Sequence, residues 1–155
     1  MPVSKLKEYL DRHGVKYVTI THSRAYTAPA IAAAAHVPGR ELAKTVMLKI
    51  DGEMAMAVMP SSVKVDLERL REALDADQVS LASEAEFKDL FPDCAVGAMP
   101  PFGNLWDLPV YVDATLAEDE EIAFNAGCHV ELIKLAYADF ERLVEPVLIE
   151  MAALV

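Results

Sequence analysis

The sequence predicts an α/β fold: one domain over residues 1–155 with a mixed central β-sheet and flanking helices. Three observations carry this. Segments with helical spacing of apolar residues mix with short runs of β-formers, without a strict strand–helix–strand rhythm. Asp51-Gly52 separates two apolar runs, 44–50 and 54–59, as a tight hairpin requires. The length of 155 residues suits one domain with a sizeable core, and no repeat or linker divides it.

Val3, Leu6 and Leu10 fall on one face of an opening helix, and Gly14 ends it. Residues 17–20 form a strand. Thr27 caps a second helix that runs to about His36, with Pro29 in its first turn and Pro38-Gly39 as its stop. The second strand of the hairpin, MAMAVM, is apolar on both faces and so is expected to be buried on both. Its methionines Met54, Met56 and Met59 read as core. Asp66 caps a helix carrying Leu67, Leu70 and Leu74, and residues 79–82 form a short strand. Ser83 and Glu86 make a capping box for a helix through Phe87 and Leu90. A Gly- and Pro-rich stretch follows at 97–103. Residues 110–113, 121–125 and 128–135 are expected strands, the last two joined through Asn125-Ala126-Gly127. A closing helix over 137–143 holds Phe140 and Leu143.

Composition narrows the function classes. At 54% hydrophobic and 25% charged residues, the chain is a folded one. With 14 basic and 25 acidic residues and a net charge of -11, it repels polyanions at long range. That excludes tight nonspecific nucleic-acid binding, whose affinity comes from phosphate neutralisation. A local basic rim stays open: Arg24, Arg40, Lys49, Lys64 and Lys134 supply one, or are solvated surface. The acidic run at 118–121 reads as a solvated loop. Cys94 and Cys128 form neither a disulfide framework nor a C-x-x-C pair, and two thiols fit a reducing cytoplasm. The N-terminus lacks a signal peptide's apolar core, and no stretch approaches the roughly 20 apolar residues of a membrane span. The expected location is cytoplasmic.

A few residues stand out chemically. Lys44 opens a strand on the same face as Val46, Leu48 and Ile50, so it lines a pocket, pairs, or snorkels to solvent. In Gly97-Ala98-Met99-Pro100-Pro101-Phe102-Gly103, two prolines fix the backbone and the glycines allow close approach to a ligand. The segment is either a rigid surface turn or a loop that aims N–H groups at a developing oxyanion. His129 opens a strand after a turn and serves in substrate contact or proton transfer, or as a structural histidine. His13, His22 and His36 have no partner at metal-ligand spacing, so no metal site is expected. No G-x-S-x-G elbow, P-loop or dinucleotide fingerprint is present, and no cofactor is expected.

These pieces join in a resemblance. Ala43-Lys44-Thr45-Val46 before a hairpin, the Gly97–Pro101 G-x-x-x-P segment, and Asn125-Ala126-Gly127-Cys128-His129 followed by Ile133 resemble, in order, the motifs of the YbaK and prolyl-tRNA synthetase-associated domain family. Val65-Asp66-Leu67 and Asp139-Phe140 also fall in familiar places. The resemblance implies a YbaK-like fold and a metal-independent ester hydrolase that clears wrongly attached amino acids from tRNA, often tRNA for proline. It implies Lys44, Gly97 and Pro101 as catalytic elements: the lysine anchors the substrate, backbone N–H groups at Gly97 hold the oxyanion, and Pro101 keeps the loop rigid. It implies substrate contacts at Tyr26, Thr45, Ala98, Met99, Phe102, Gly127 and His129. The base would be the substrate's own ribose hydroxyl, with His129 as the protein's candidate. Thr45 stands where the alanine-clearing branch often has Asn, which leaves cysteine, serine or threonine open beside alanine. The implied partners are the acceptor end of tRNA, held weakly, and an aminoacyl-tRNA synthetase. A non-catalytic module that binds aminoacyl-adenosine for a synthetase is the other reading.

Overall fold

The structure, a computed structural model, describes residues 2–91, 94–95, 98–150 and 152–154. Helix α1 (Pro2–Arg12) leads to strand β1 (Tyr17–Thr21) and helix α2 (Ala28–Ala35). The hairpin β2 (Leu42–Ile50) and β3 (Glu53–Pro60) follows, then β4 (Val63–Val65), α3 (Leu67–Leu74), β5 (Val79–Leu81) and the short α4 (Glu84–Phe87). The second half holds β6 (Val110–Asp113), β7 (Glu121–Asn125), β8 (Glu131–Ala136), α5 (Tyr137–Val144), β9 (Val147–Ile149) and β10 (Ala152–Leu154).

Local chemistry explains most boundaries. Thr27 Oγ1 accepts from Ala30 N, Asp66 accepts from Arg69 N, and the Ser83–Glu86 capping box forms in both directions. Asp51 and Gly52 both take positive φ, 51° and 85°, the geometry a two-residue hairpin turn requires. Every residue from Ala55 to Pro60 is buried, as an apolar strand covered on both faces should be.

The main sheet runs β1-β8-β7-β2-β3-β6-β9, with β5 also on β2, while β10 and β4 form a separate pair. It is mixed: β2–β7, β3–β6 and β6–β9 are parallel, and the other pairs are antiparallel. One face packs against α1, α5 and the 98–102 stretch through Leu10, Met47, Phe102, Phe124, Ile133 and Phe140. The other face carries two smaller clusters. Ile31 and Ala32 of α2 pack on Leu42, Ala123 and Leu132; Leu70 of α3 packs on Leu48, Ala57 and Met59.

Three expectations need correction. Strand β8 starts at Glu131, so Cys128 and His129 sit in the turn before it, not on a strand. The helix expected through Leu90 is one α-turn followed by a 3₁₀ turn, Lys88–Leu90. Strands β4, β9 and β10 went unread because each is three residues long and its partner is distant in sequence.

Candidate active site

Strands β1, β7 and β2 run in the same direction, since β8 is antiparallel to both β1 and β7, and β7 is parallel to β2. On the face beneath α2, each contributes an apolar residue to one cluster: Ile20, Ala123 and Leu42. Two residues further along each strand, on that same face by alternation, stand His22, Asn125 and Lys44. The apolar row is thus followed by a polar row, where β1 and β7 end and β2 continues. The described ladder between β2 and β7 stops at Leu42↔Ala123 and Ala43↔Phe124, and β5 takes over the same edge of β2 only at Leu48. Among the described residues, the edge of β2 at 44–46 therefore opens between the two partners.

Lys44 is half-buried on this row, and its Nζ donates to the Val63 carbonyl at 2.5 Å. Burial lowers its pKa from the ordinary 10.5, and the nearby charge of Lys64 lowers it further. Its neighbours on the strand face are those alternation predicted, Val46 and Leu48 among them. Thr45 projects from the opposite face, between Ala43 and Met47 of the main core, so Lys44 and Thr45 do not share a wall.

The turn before β8 closes the row from the β7 side. Gly127 takes a φ of 103°, where a side chain would strain the backbone, and its carbonyl accepts from Ala95 N at 2.9 Å. That bond ties the stretch leading to Pro101 onto the turn carrying His129. His129 is buried at 9% exposure, and Tyr26 lies against it with ring centroids 4.8 Å apart. Tyr26 itself is 65% exposed, so its far side faces solvent. The backbone of this loop is pinned by His22 N to Val130 O and Ala25 N to His129 O.

The 98–103 segment is not a surface turn. Residues 98–103 are buried, and Ala98 N bonds to Ala95 O. Two expected substrate contacts belong instead to the main core: Met99 packs there, and Phe102 is fully buried against Tyr9, Phe124 and Phe140. An aromatic ring held on three sides by other rings is a packing centre, with no face left for a ligand. Ala98 is fully buried too and presents no side-chain surface. Pro101 is buried in this stretch, while Gly97 lies outside the described residues.

Two residues of the polar row were missed as site candidates. Asn125 carries no role in the sequence reading beyond its place in the strand, the turn and the N-x-G-x-H motif, and its Oδ1 is buried without a hydrogen-bond partner. His22 was weighed only as a metal ligand. Its Nδ1 donates to Ser23 O at 2.7 Å, and its Nε2 is buried without a partner. Buried polar atoms are normally satisfied, so two unsatisfied ones on one row make it a candidate site. The signal available in the sequence was the N-x-G-x-H spacing, which names Asn125 but not His22.

Among the described residues, no group of three or more His, Cys, Asp or Glu stands where it would hold a metal. Cys94 and Cys128 are half-buried and not joined in a disulfide. No helix among the described residues is long and apolar enough to cross a membrane.

The fold and the row define a small α/β domain that gathers a lysine, an amide and imidazoles on one sheet face. Comparison with known proteins places it: residues 22–143 match the aminoacyl-tRNA editing domain, and the chain belongs to that family. It is 29% identical over 150 residues to the multifunctional Ser/Thr-tRNA deacylase ProXp-y of Escherichia coli (strain K12), covering 94% of this chain and 89% of that one. A proline–tRNA ligase of Leuconostoc citreum (strain KM20) is 33% identical over 97 residues, which are 60% of this chain and 16% of the ligase. Among solved structures, a candidate trans-editing enzyme for prolyl tRNA synthetase superposes with a TM-score of 0.82 at 19% identity, covering 98% and 97% of the two chains. That likeness establishes the YbaK-like fold.

Proposed function

We propose that this chain is a free-standing aminoacyl-tRNA deacylase, one editing domain over its whole length, that hydrolyses the ester between a misattached serine or threonine and the 3′-terminal adenosine of a tRNA. The single observation that carries the reading is the polar row. His22 just past β1, Asn125 at the end of β7 and Lys44 near the start of β2 stand level on three co-directional strands inside the span that matches the editing family, and the His129 turn flanks them.

An aminoacyl ester is already activated, so orientation and charge stabilisation supply most of what hydrolysis needs. In this reading the Lys44 ammonium, held off solvent by the sheet face, donates to the ester carbonyl as negative charge develops on it. Lys44 is bonded to a carbonyl and carries protons to donate, which makes it a poor base. The vicinal ribose hydroxyl of the substrate orients and activates the attacking water. Asn125 Oδ1 accepts from the substrate's ammonium or hydroxyl, and His129 lines the amino-acid side. A polar lining favours serine and threonine over alanine, because a site built to bond a hydroxyl leaves its own groups unpaired when that hydroxyl is missing. The ProXp-y relative, named for seryl and threonyl esters, supports the same choice. The tRNA is held weakly at its acceptor end, tRNA for proline among the candidates, in the cytoplasm and beside a synthetase.

The test is single-turnover deacylation, with enzyme in excess, of tRNAs charged with Ser, Thr, Cys, Ala and Pro. Seryl and threonyl esters should turn over fastest. A terminal adenosine lacking the vicinal hydroxyl should slow chemistry sharply and leave binding nearly unchanged. A normal rate on the deoxy substrate would move the base to the protein, with His129 first to be substituted. Binding of aminoacyl-adenosine without release of amino acid would make the chain an accessory module instead.

A further inference from the structure

A groove lies on the flank of α2 that faces the β3–β4 turn. It has a volume of about 600 Å³ and is lined by Pro29, Ala32, Ala33 and His36 on one side and by Gly39, Ser61 and Ser62 on the other. Its helix wall is smooth because α2 is built of alanines, with no side chain long enough to fill the space. Its opposite wall is held rigidly: Ser61 donates from both N and Oγ to Gly39 O, and its N also reaches Leu42 O. One residue beyond Ser62 stands Val63, whose carbonyl receives the Lys44 ammonium. The groove and the lysine therefore share one continuous wall.

The charges here differ from those of the chain as a whole. The protein carries a net charge of -11. Yet Arg40 follows Gly39, Lys64 follows Val63, and Lys64 is close enough to Lys44 to depress its pKa. Arg40 itself turns to a separate acidic groove, among Glu41, Glu118, Asp119, Glu120 and Glu121. Of the other rim candidates, Lys49 is bound to Glu86 at 2.6 Å and Lys134 to Glu121 at 3.6 Å. Lys44 and Lys64 thus form a positive edge to an apolar slot with hydroxyls and an imidazole in its lining. A flat nucleobase with a phosphodiester behind it matches that set of groups.

We infer that this groove is the subsite for the terminal adenosine of the aminoacylated 3′ end. The base lies along the Pro29–Ala32–Ala33 wall, Ser62 and His36 bond its edge, and its phosphate meets Lys64. The sugar is then delivered toward Lys44. The inference rests on the deacylase reading and deepens it, since it says how an acidic protein holds the end of a polyanion.

The test pairs enzyme and substrate changes. Ala33→Trp fills the groove from an exposed helix position, and a thermal melt confirms that the variant folds. kcat/KM on the preferred mischarged tRNA should fall about tenfold or more, and an abasic terminal nucleotide should cost the wild type a similar factor. The abasic substrate should cost Ala33→Trp little further, because the contact is already lost. His36→Asn, which tolerates the left-handed φ of 57° at this position, should give a smaller loss of the same kind. Independently, adenosine 5′-monophosphate should shift the amide resonances of Ala33, His36 and Ser62. Full activity of Ala33→Trp, or losses from variant and abasic substrate that multiply, would overturn the groove while leaving the deacylase intact. Amide shifts from the nucleotide with no deacylation of any mischarged tRNA would sink the deacylase reading and keep the groove.

Discussion

Replacing Lys44 by methionine separates function from stability at the one residue where burial and charge conflict. The wild-type ammonium is half-buried, bonded to Val63 O, and depressed in pKa by desolvation first and by Lys64 second. Methionine keeps the stem and removes the charge. The lost charged hydrogen bond costs about 1.5–3 kcal/mol, and relief of the desolvated ammonium returns much of that. The net change in stability should stay within about 1 kcal/mol, or about 2–4 °C in melting temperature. The chemical step is different. A charged donor aimed at a developing oxyanion is worth about 2–4 kcal/mol, so the single-turnover rate should fall by about 30- to 1000-fold. The pH dependence of stability has a defined sign. The folded pKa lies below the unfolded value of 10.5, so between the two the unfolded chain binds more protons. Wild-type stability relative to Lys44→Met must therefore rise as pH climbs through that window. Urea unfolding at pH 7 and near pH 10 measures it. A folded Lys44→Met protein with the wild-type rate removes the lysine from the chemistry. A melting temperature lowered by more than about 10 °C would make the residue structural instead.

Glu86 is held down to about 2 by Lys49 and by the capping bonds with Ser83, so its contribution to stability is present above 4.5 and is lost as pH falls toward 2. A carboxyl titration by NMR should show that low midpoint, and Glu86→Gln should remove the corresponding acid-dependent part of the unfolding curve. At Gly103 an added Cβ would sit 2.8 Å from Leu108 O and 2.7 Å from Val110 Cγ2, so Gly103→Ala should destabilise by about 1–3 kcal/mol in urea without touching the site. Asn125→Ala should slow seryl deacylation by about tenfold while leaving the melt nearly unchanged, since no bond within the protein is lost from its Oδ1; an equal loss on every ester would refute a role in specificity. Deacylation should persist after exhaustive chelation, and rescue of a chelated, inactive sample by zinc or magnesium would contradict the positioning mechanism.

Much of this molecule was legible from the chain. The caps at Thr27, Asp66 and Ser83, the turn at Asp51-Gly52 and the doubly buried β3 follow from local chemistry, and they formed as read. Those signals act over a few residues, where backbone preference and hydrogen bonding decide the outcome. The spacing around Lys44 and Asn125–His129 identified the family for the same reason: the motif residues are clustered in short runs. Only the tertiary structure decided that Lys44 and Asn125, about eighty positions apart, become neighbours on one face through the Ala43↔Phe124 register. It also decided that His22 joins them, that Thr45 turns away, and that Phe102 serves the core and not the ligand. Strands β4, β9 and β10 belong to the same class, being too short to declare themselves without a partner. Pairing of strands and the packing of a ring among rings depend on which distant surfaces are buried together. That quantity is absent from any local window of the sequence and exists only once the sheet has closed.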